Sequence, residues 1–335
     1  MWPCRCDFGG SLSEDHAAKN SYKPDGAGTT MTWRFTRRAL MLTLLGASMD
    51  SYADVTTKQL HCNGLTFPVL FWGPPRGRPV LLLHGFPQEP STWAPVAQAL
   101  AREGFRAVAP FQRGYAVGAR PYGPDAYTFK QFVSDAIGIA DALGLAKFDV
   151  AGFGVGGVQA WMLAAYHSSR VRSLTSFRFA HPAAFAQAMQ SDLEQKEKWM
   201  RVQQELGAGD PDTKATALLA NDAAGLRHFL MTSGLPQPYL DRYVSRLQEP
   251  GALAAALCWN RAISLEEFAR VPAVDAPTLL VWTEGPALAR AAVQATSKYV
   301  HAAFTEVSIP DGGHFMLETS PDALISPLRR HLQST

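Results

Sequence analysis

No stretch of the 335-residue chain reaches the length of apolar residues, about 20, that a membrane-crossing helix needs. Charge of one sign is missing too. Thirty-one Lys and Arg stand against 29 Asp and Glu, a net charge of +2, with no block of like charges. That balance gives no reason to expect nucleic acid or another polyanion as partner. Cysteine is scarce. Of four, Cys4 and Cys6 lie in the first few residues, leaving Cys62 and Cys258 in the body of the chain. These two can pair in an oxidising compartment, although two separate buried thiols are the plainer expectation. No Cys/His spacing suggests a metal site, and nothing calls for a cofactor. Internal repeats and low-complexity tracts are absent. What the chain has is 47% hydrophobic residues, enough for a sizeable core.

The amino end reads as an address, not as fold. Residues 1–30 are rich in Gly, Ser, Asp and Lys without periodicity, and are expected to be a disordered or non-native extension. Met31–Arg38 is basic, Ala39–Ala47 is apolar, and Ser51-Tyr52-Ala53 ends in a small residue. This is the layout of a signal peptide spanning 31–53, cleaved after Ala53. Thr36-Arg37-Arg38 also fits a twin-arginine signal. A periplasmic or secreted location follows, with no membrane attachment after cleavage.

From Lys58 onward, strand-like and helix-like segments alternate, the mark of a mostly parallel sheet with helices on both faces. Expected strands are Leu65–Trp72, Pro79–Leu83, Arg106–Ala109, Phe148–Ala151, Val171–Phe177, Thr278–Trp282 and Phe304–Ile309. Helices are expected over Trp93–Glu103, Thr128–Leu143 and Gly156–Tyr166. The second of these should turn Phe129, Phe132, Ile137 and Ala140 inward. Ser320-Pro321 should cap and open a last helix. Residues 183–265 contain helix formers and no convincing strand. The chain therefore divides into a first core part (54–182), a helical cap (183–265) and a second core part (266–335).

Phe148–Ala151 runs into Gly152-Phe153-Gly154-Val155-Gly156-Gly157, a glycine-spaced turn between strand and helix. His84-Gly85-Phe86-Pro87 follows another buried strand, and Gly312-Gly313-His314-Phe315 follows the last. With Gln112-Arg113-Gly114-Tyr115, His181-Pro182 and Ala256-Leu257-Cys258-Trp259-Asn260-Arg261, these motifs resemble the α/β-hydrolase superfamily. Within it the likeness is to the branch of epoxide hydrolases and haloalkane dehalogenases, over residues 58 to 333. The resemblance implies an α/β-hydrolase fold: a doubly wound, mostly parallel sheet with an inserted helical cap. It also implies that the glycine-spaced turn is the nucleophile elbow of the G-x-S-x-G type. The N–H groups of Phe86 and Val155 would then form an oxyanion hole, with His314 as base. Glu284 would be its orienting acid or else a solvated loop residue. His84, Arg113 and Tyr115 are expected to brace the core. Trp93, Arg178, Trp259, Asn260 and Phe315 are the candidate substrate contacts, the three aromatics as pocket wall or cap packing.

The departures from the family pattern carry as much information. The elbow's central residue is Gly154, so the attacking atom is missing. Asn260 stands where the branch supplies a cap tyrosine, Gly285 where it places its acid, and Arg178 where some relatives take the acid instead. A single loss at 154 does not explain the other three, which favours a site drifted to another use. The expected function is hydrolysis of a small apolar ester, lactone or epoxide with a degenerate triad. The alternatives are an inactive pseudoenzyme or inactivated variant that binds a small ligand, and a lyase or cyclase using His314. The expected partner is a small molecule, the expected state a monomer or homodimer.

Overall fold

A computed structural model describes residues 55–335 except Glu284–Ala287, Ala289 and Asp311. The segments expected to be an extension (1–30) and a signal peptide (31–53), and Glu284, therefore lie outside the described residues.

Eight strands form one sheet: β1 (Thr56–Cys62), β2 (Leu65–Trp72), β3 (Arg78–Leu83), β4 (Phe105–Pro110), β5 (Phe148–Phe153), β6 (Val171–Phe177), β7 (Thr278–Trp282) and β8 (Phe304–Ser308). Their order is β1-β2-β4-β3-β5-β6-β7-β8. β1 and β2 pair antiparallel, as do β2 and β4; every later pairing is parallel. The expectations missed β1. Its side chains are mostly exposed, so it lacks the buried alternation that betrays a strand, and pairing with β2 alone defines it.

Successive side chains of the central strands enter opposite faces. Leu81, Leu83, Val108 and Val150 join a cluster with Val158 and Trp161. Val80, Leu82, Ala107, Ala151 and Val281 join another with Leu324, Leu328 and Leu332. The helices α1 (Ala94–Arg102), α2 (Phe129–Ala142) and α3 (Val155–Tyr166) alternate with the strands. Thr128 and Gln131 close a capping box at the start of α2. On that helix Ile139 is buried while Ile137 is only half-buried, one turn position off the expectation.

Between β6 and β7 the chain is helical: α4 (Pro182–Ser191), α5 (Leu193–Val202), α6 (Pro211–Thr232), α7 (Gln237–Leu247), α8 (Ala252–Arg261) and α9 (Leu265–Ala269). α6 is broken by non-helical backbone at Ala220–Ala223. α10 (Arg290–Thr296), α11 (Met316–Thr319) and α12 (Pro321–Gln333) complete the chain. Pro321 opens α12 as expected, but the Ser320 side chain makes no capping bond. Cys62 and Cys258 are free thiols on β1 and α8. Among the described residues no helix is long and apolar enough to cross a membrane.

Two buried carboxylates tie the layers together. Asp149 on β5 accepts from Arg78 at 2.6 and 2.7 Å, from Arg172 at 3.1 Å and from Ser173 at 2.7 Å. Asp135 on α2 takes Arg113 in a two-pronged bond of 2.7 and 2.9 Å. Paired and hydrogen-bonded in this way, a charge can be buried.

Candidate active site

The turn after β5 sets the site. Gly154 holds φ +55° and ψ −117° immediately before α3, a conformation that side-chain-bearing residues adopt only under strain. Its N–H donates to the Phe177 carbonyl at 2.9 Å, and its carbonyl accepts from Val158 at 3.1 Å. A Cβ built on Gly154 meets no heavy atom within 4 Å beyond its chain neighbours. The turn thus combines a left-handed glycine backbone with open space, among the described residues, where a side chain would project. Gly156 has a different reason to be glycine: a Cβ there would lie 2.3 Å from the Leu83 carbonyl oxygen, blocking the approach of α3 to β3.

The N–H groups expected as oxyanion donors are those of Phe86, after β3, and Val155, at the start of α3. Val155 opens α3, where N–H groups have no intrahelical acceptor. Neither its N–H nor that of Phe86 donates to a protein acceptor among the described residues. Gly154 and Val155 are half-buried, so solvent reaches the turn.

His314 lies on the loop between β8 and α11. Its ring sits edge-on to Phe153, the residue before Gly154, at 6.3 Å between centroids, and against Phe315 at 4.8 Å. Nε2 contacts the Phe86 carbonyl oxygen at 3.1 Å, a contact that requires a proton on Nε2. Burial, and after it the positive charge of Arg178, pushes the imidazole pKa down to about 4. The ring is neutral at physiological pH. To act as a base through Nε2 it must change tautomer and leave the Phe86 carbonyl.

Arg178 follows β6 directly, with φ +61° and its N–H on the Val281 carbonyl at 2.8 Å. It is only 6% exposed, and its Nε and Nη1 atoms are buried without a partner among the described residues. Burial lowers its pKa to about 10, so it stays charged at neutral pH. The triad acid expected at Glu284 lies outside the described residues.

The two tryptophans expected as substrate contacts, pocket wall or cap packing are both buried. Trp259 is core: its Nε1 donates to the Arg113 carbonyl at 2.8 Å, and its ring stacks on His84 at 5.4 Å. Trp93 is also core, fully buried and edge-on to Phe177 at 5.7 Å in the cluster shared with α1 and α12. Large aromatics near a site are core when the sheet face behind them needs filling, and spacing alone does not reveal which face they meet. Asn260 is buried on α8 with Nδ2 unpartnered. Phe315 is buried between His314 and Tyr243 of α7, consistent with cap packing.

His84 holds its turn together as expected. Nδ1 meets the Gly85 carbonyl at 3.0 Å, Nε2 accepts from the Gln112 N–H at 3.3 Å, and burial lowers its pKa to about 4. Arg113 braces Asp135 as described above. Sequence reasoning missed Glu318, four residues after His314. This buried carboxylate accepts from Thr92 at 2.6 Å and from the hydroxyl of Tyr243, joining α7 to the core. The signal was there only as a carboxylate one helical turn past the histidine, too common to single out.

Comparison with known proteins agrees with this geometry. The AB hydrolase superfamily protein YfhM of Bacillus subtilis is 30% identical over 228 residues, covering 67% of this chain and 79% of that protein. Epoxide hydrolase A of Mycobacterium tuberculosis is 25% identical over 317 residues, covering 83% and 97%. A solved structure described as a novel epoxide hydrolase of the superfamily from hot-environment metagenomes superposes with a TM-score of 0.72 at 26% identity, covering 83% and 98%. A Bacillus megaterium epoxide hydrolase structure, 19% identical over 82% of this chain and 100% of that one, shares the fold at a TM-score of 0.72. The family model described as alpha/beta hydrolase fold matches residues 78–321, and the chain belongs to the α/β-hydrolase fold family.

Proposed function

We propose that this chain hydrolyses a small apolar ester, lactone or epoxide by direct attack of water, without a covalent intermediate. The observation that carries the reading is Gly154: the turn keeps its conformation, and open space takes the place of the side chain. A water molecule fits there, beside the free N–H groups of Phe86 and Val155. For an ester, the water oxygen bonds to the acyl carbon while His314 takes the water's proton. The tetrahedral oxyanion rests on the two N–H groups, and the alkoxy group leaves with the proton returned by His314. An imidazole with a pKa near 4 is a weak base, so the reaction is slow.

The similarity to epoxide hydrolases supports epoxide chemistry as one branch of this class. A second reading, ligand binding without turnover, is favoured by the contact between His314 Nε2 and the Phe86 carbonyl, which occupies the nitrogen the reaction needs. Assays of the purified protein with an activated aryl ester and with styrene oxide decide between them. The expected result is slow turnover that falls by about 10²–10⁴-fold in His314→Ala. Its kcat/KM rises with pH through about 4, as the imidazole loses its proton, and stays level above. Intact-mass spectrometry during turnover should show no acyl or alkyl adduct. Such an adduct, or full activity in His314→Ala, overturns the reading, and absence of turnover leaves ligand binding.

We also infer export through Met31–Ala53, on the composition of that segment alone. Amino-terminal sequencing of the protein from its host is expected to begin at Asp54; an unprocessed start at Met1 or Met31 overturns this.

A further inference from the structure

Two buried arginines near the sheet behave differently. Arg113 is 7% exposed and fully engaged, with Asp135 on two nitrogens and the Ala126 carbonyl on the third. Arg178 is equally buried, yet it forms no ion pair among the described residues, and two of its nitrogens have no acceptor. Burying a guanidinium without a counter-charge is costly, and Arg178 holds a left-handed backbone as well. Such costs persist at positions that act on something else.

Its place in the fold says what. Arg178 is the next residue after Phe177, whose carbonyl receives the Gly154 N–H. Its charge reaches His314, whose ring sits edge-on to Phe153, the residue before Gly154. The 12-residue helix α3 points its N-terminus at the same turn, adding a partial positive charge. The Phe86 and Val155 N–H groups complete the set. The Arg178 guanidinium, the α3 N-terminus and the two N–H groups are thus cationic or donating groups near one turn, and Arg178 has no ion pair among the described residues.

We propose that this space is a receptor for a small carboxylate, held by the Arg178 guanidinium and the Phe86 and Val155 N–H groups. Resting on the hydrolytic reading above, the substrates are then carboxylic esters and lactones. Their hydrolysis adds water across the acyl–oxygen bond to give an alcohol and an acid. The acid releases its proton to solvent and stays bound as the anion, whereas an epoxide yields a neutral diol that Arg178 has no reason to hold.

The test is equilibrium binding, which does not depend on turnover. Benzoate and its neutral analogue benzamide are titrated calorimetrically into the wild-type protein, R178M, R178K and E284Q in low-chloride buffer. The imidazole of His314 is followed by NMR in parallel. Benzoate is expected to bind one site, with benzamide at least roughly tenfold weaker. R178M should lose about 10–100-fold in affinity, while R178K, which keeps the charge and loses the fork, retains part of it. Bound benzoate should raise the His314 titration midpoint above its ligand-free value, because it neutralises the neighbouring cation. Equal benzoate affinity in folded R178M and wild type overturns the proposal, as does a wild-type protein that binds neither compound. Binding that emerges only in E284Q also overturns it, by assigning Glu284 as the partner of Arg178. If the wild type hydrolyses esters but binds no benzoate, the receptor fails and the hydrolytic reading stands. Benzoate binding without turnover gives the converse.

Discussion

Gly154 and Arg178 meet at one turn, where the Gly154 N–H donates to the carbonyl of Phe177, the residue before Arg178. The backbone at 154 sits where a Cβ brings strain but no collision. Gly154→Ala is therefore expected to lower stability by about 1–3 kcal/mol in chemical denaturation. Gly154→Asp should lose less, because its carboxylate gains the unpaired charge of Arg178. That advantage of Asp over Ala should disappear in the background of Arg178→Met, and its persistence there would show that the two positions do not interact. Asp at 154 also restores an attacking atom, so an alkyl adduct trapped from an epoxide is expected in that variant alone.

Between elements, the attachment of the cap helices to the core rests on few polar groups. Glu318 on α11 receives Thr92 from the turn before α1 and Tyr243 from α7. Its pKa is raised, chiefly by burial. Glu89 adds bonds to Arg246 at 3.1 Å and Arg242 at 3.5 Å, but those arginines are about one-third exposed and such pairs contribute little. Glu318→Ala leaves two buried hydroxyls without their acceptor and is expected to cost roughly 2–4 kcal/mol. Glu318→Gln keeps an acceptor oxygen and should cost about 1 kcal/mol. A double-mutant cycle with Tyr243→Phe, read by urea unfolding, should return a coupling above about 0.5 kcal/mol; additive losses would place the anchor elsewhere. The element boundaries themselves were largely legible. β7 falls where its apolar run puts it, since strands buried on both faces tend to be continuously apolar. β1 was not, since an exposed edge strand has no such requirement.

Among the described residues, His84 and His181 are buried and His314 is half-buried, and all three are held in their neutral form. Burial lowers His84, His181 and His314 each to about 4 from an ordinary 6.5. The unfolded chain binds these protons at a higher pH than the folded one. Stability is therefore full above about 6.5 and is lost as pH falls toward about 4. Each histidine contributes a slope of at most about 1.4 kcal/mol per pH unit in that window. Urea midpoints measured between pH 7 and 4 should fall steadily, and His181→Asn should flatten the curve if the mutant folds. A midpoint independent of pH across the window would show that these rings protonate without unfolding the protein.

The amino-acid order alone determined the class of fold, because strands buried in a parallel sheet and helices that cover it leave different apolar periods in the chain. It also located the turn at Gly154, the Phe86 loop and His314, because glycines at forced backbone angles and residues at strand ends are local features. Tertiary structure decided what those positions can do. Whether Trp93 and Trp259 line a site or fill a core depends on which sheet face they meet. Whether Arg178 is a solvated surface charge or a buried cation beside the turn depends on strands more than 100 residues away in sequence, since its N–H is fixed by Val281. The same holds for the carbonyl of Phe86, which the fold brings to His314 across 228 positions of chain. Local sequence sets angles and periods; the dielectric and the partners around a charged group belong to the assembled fold.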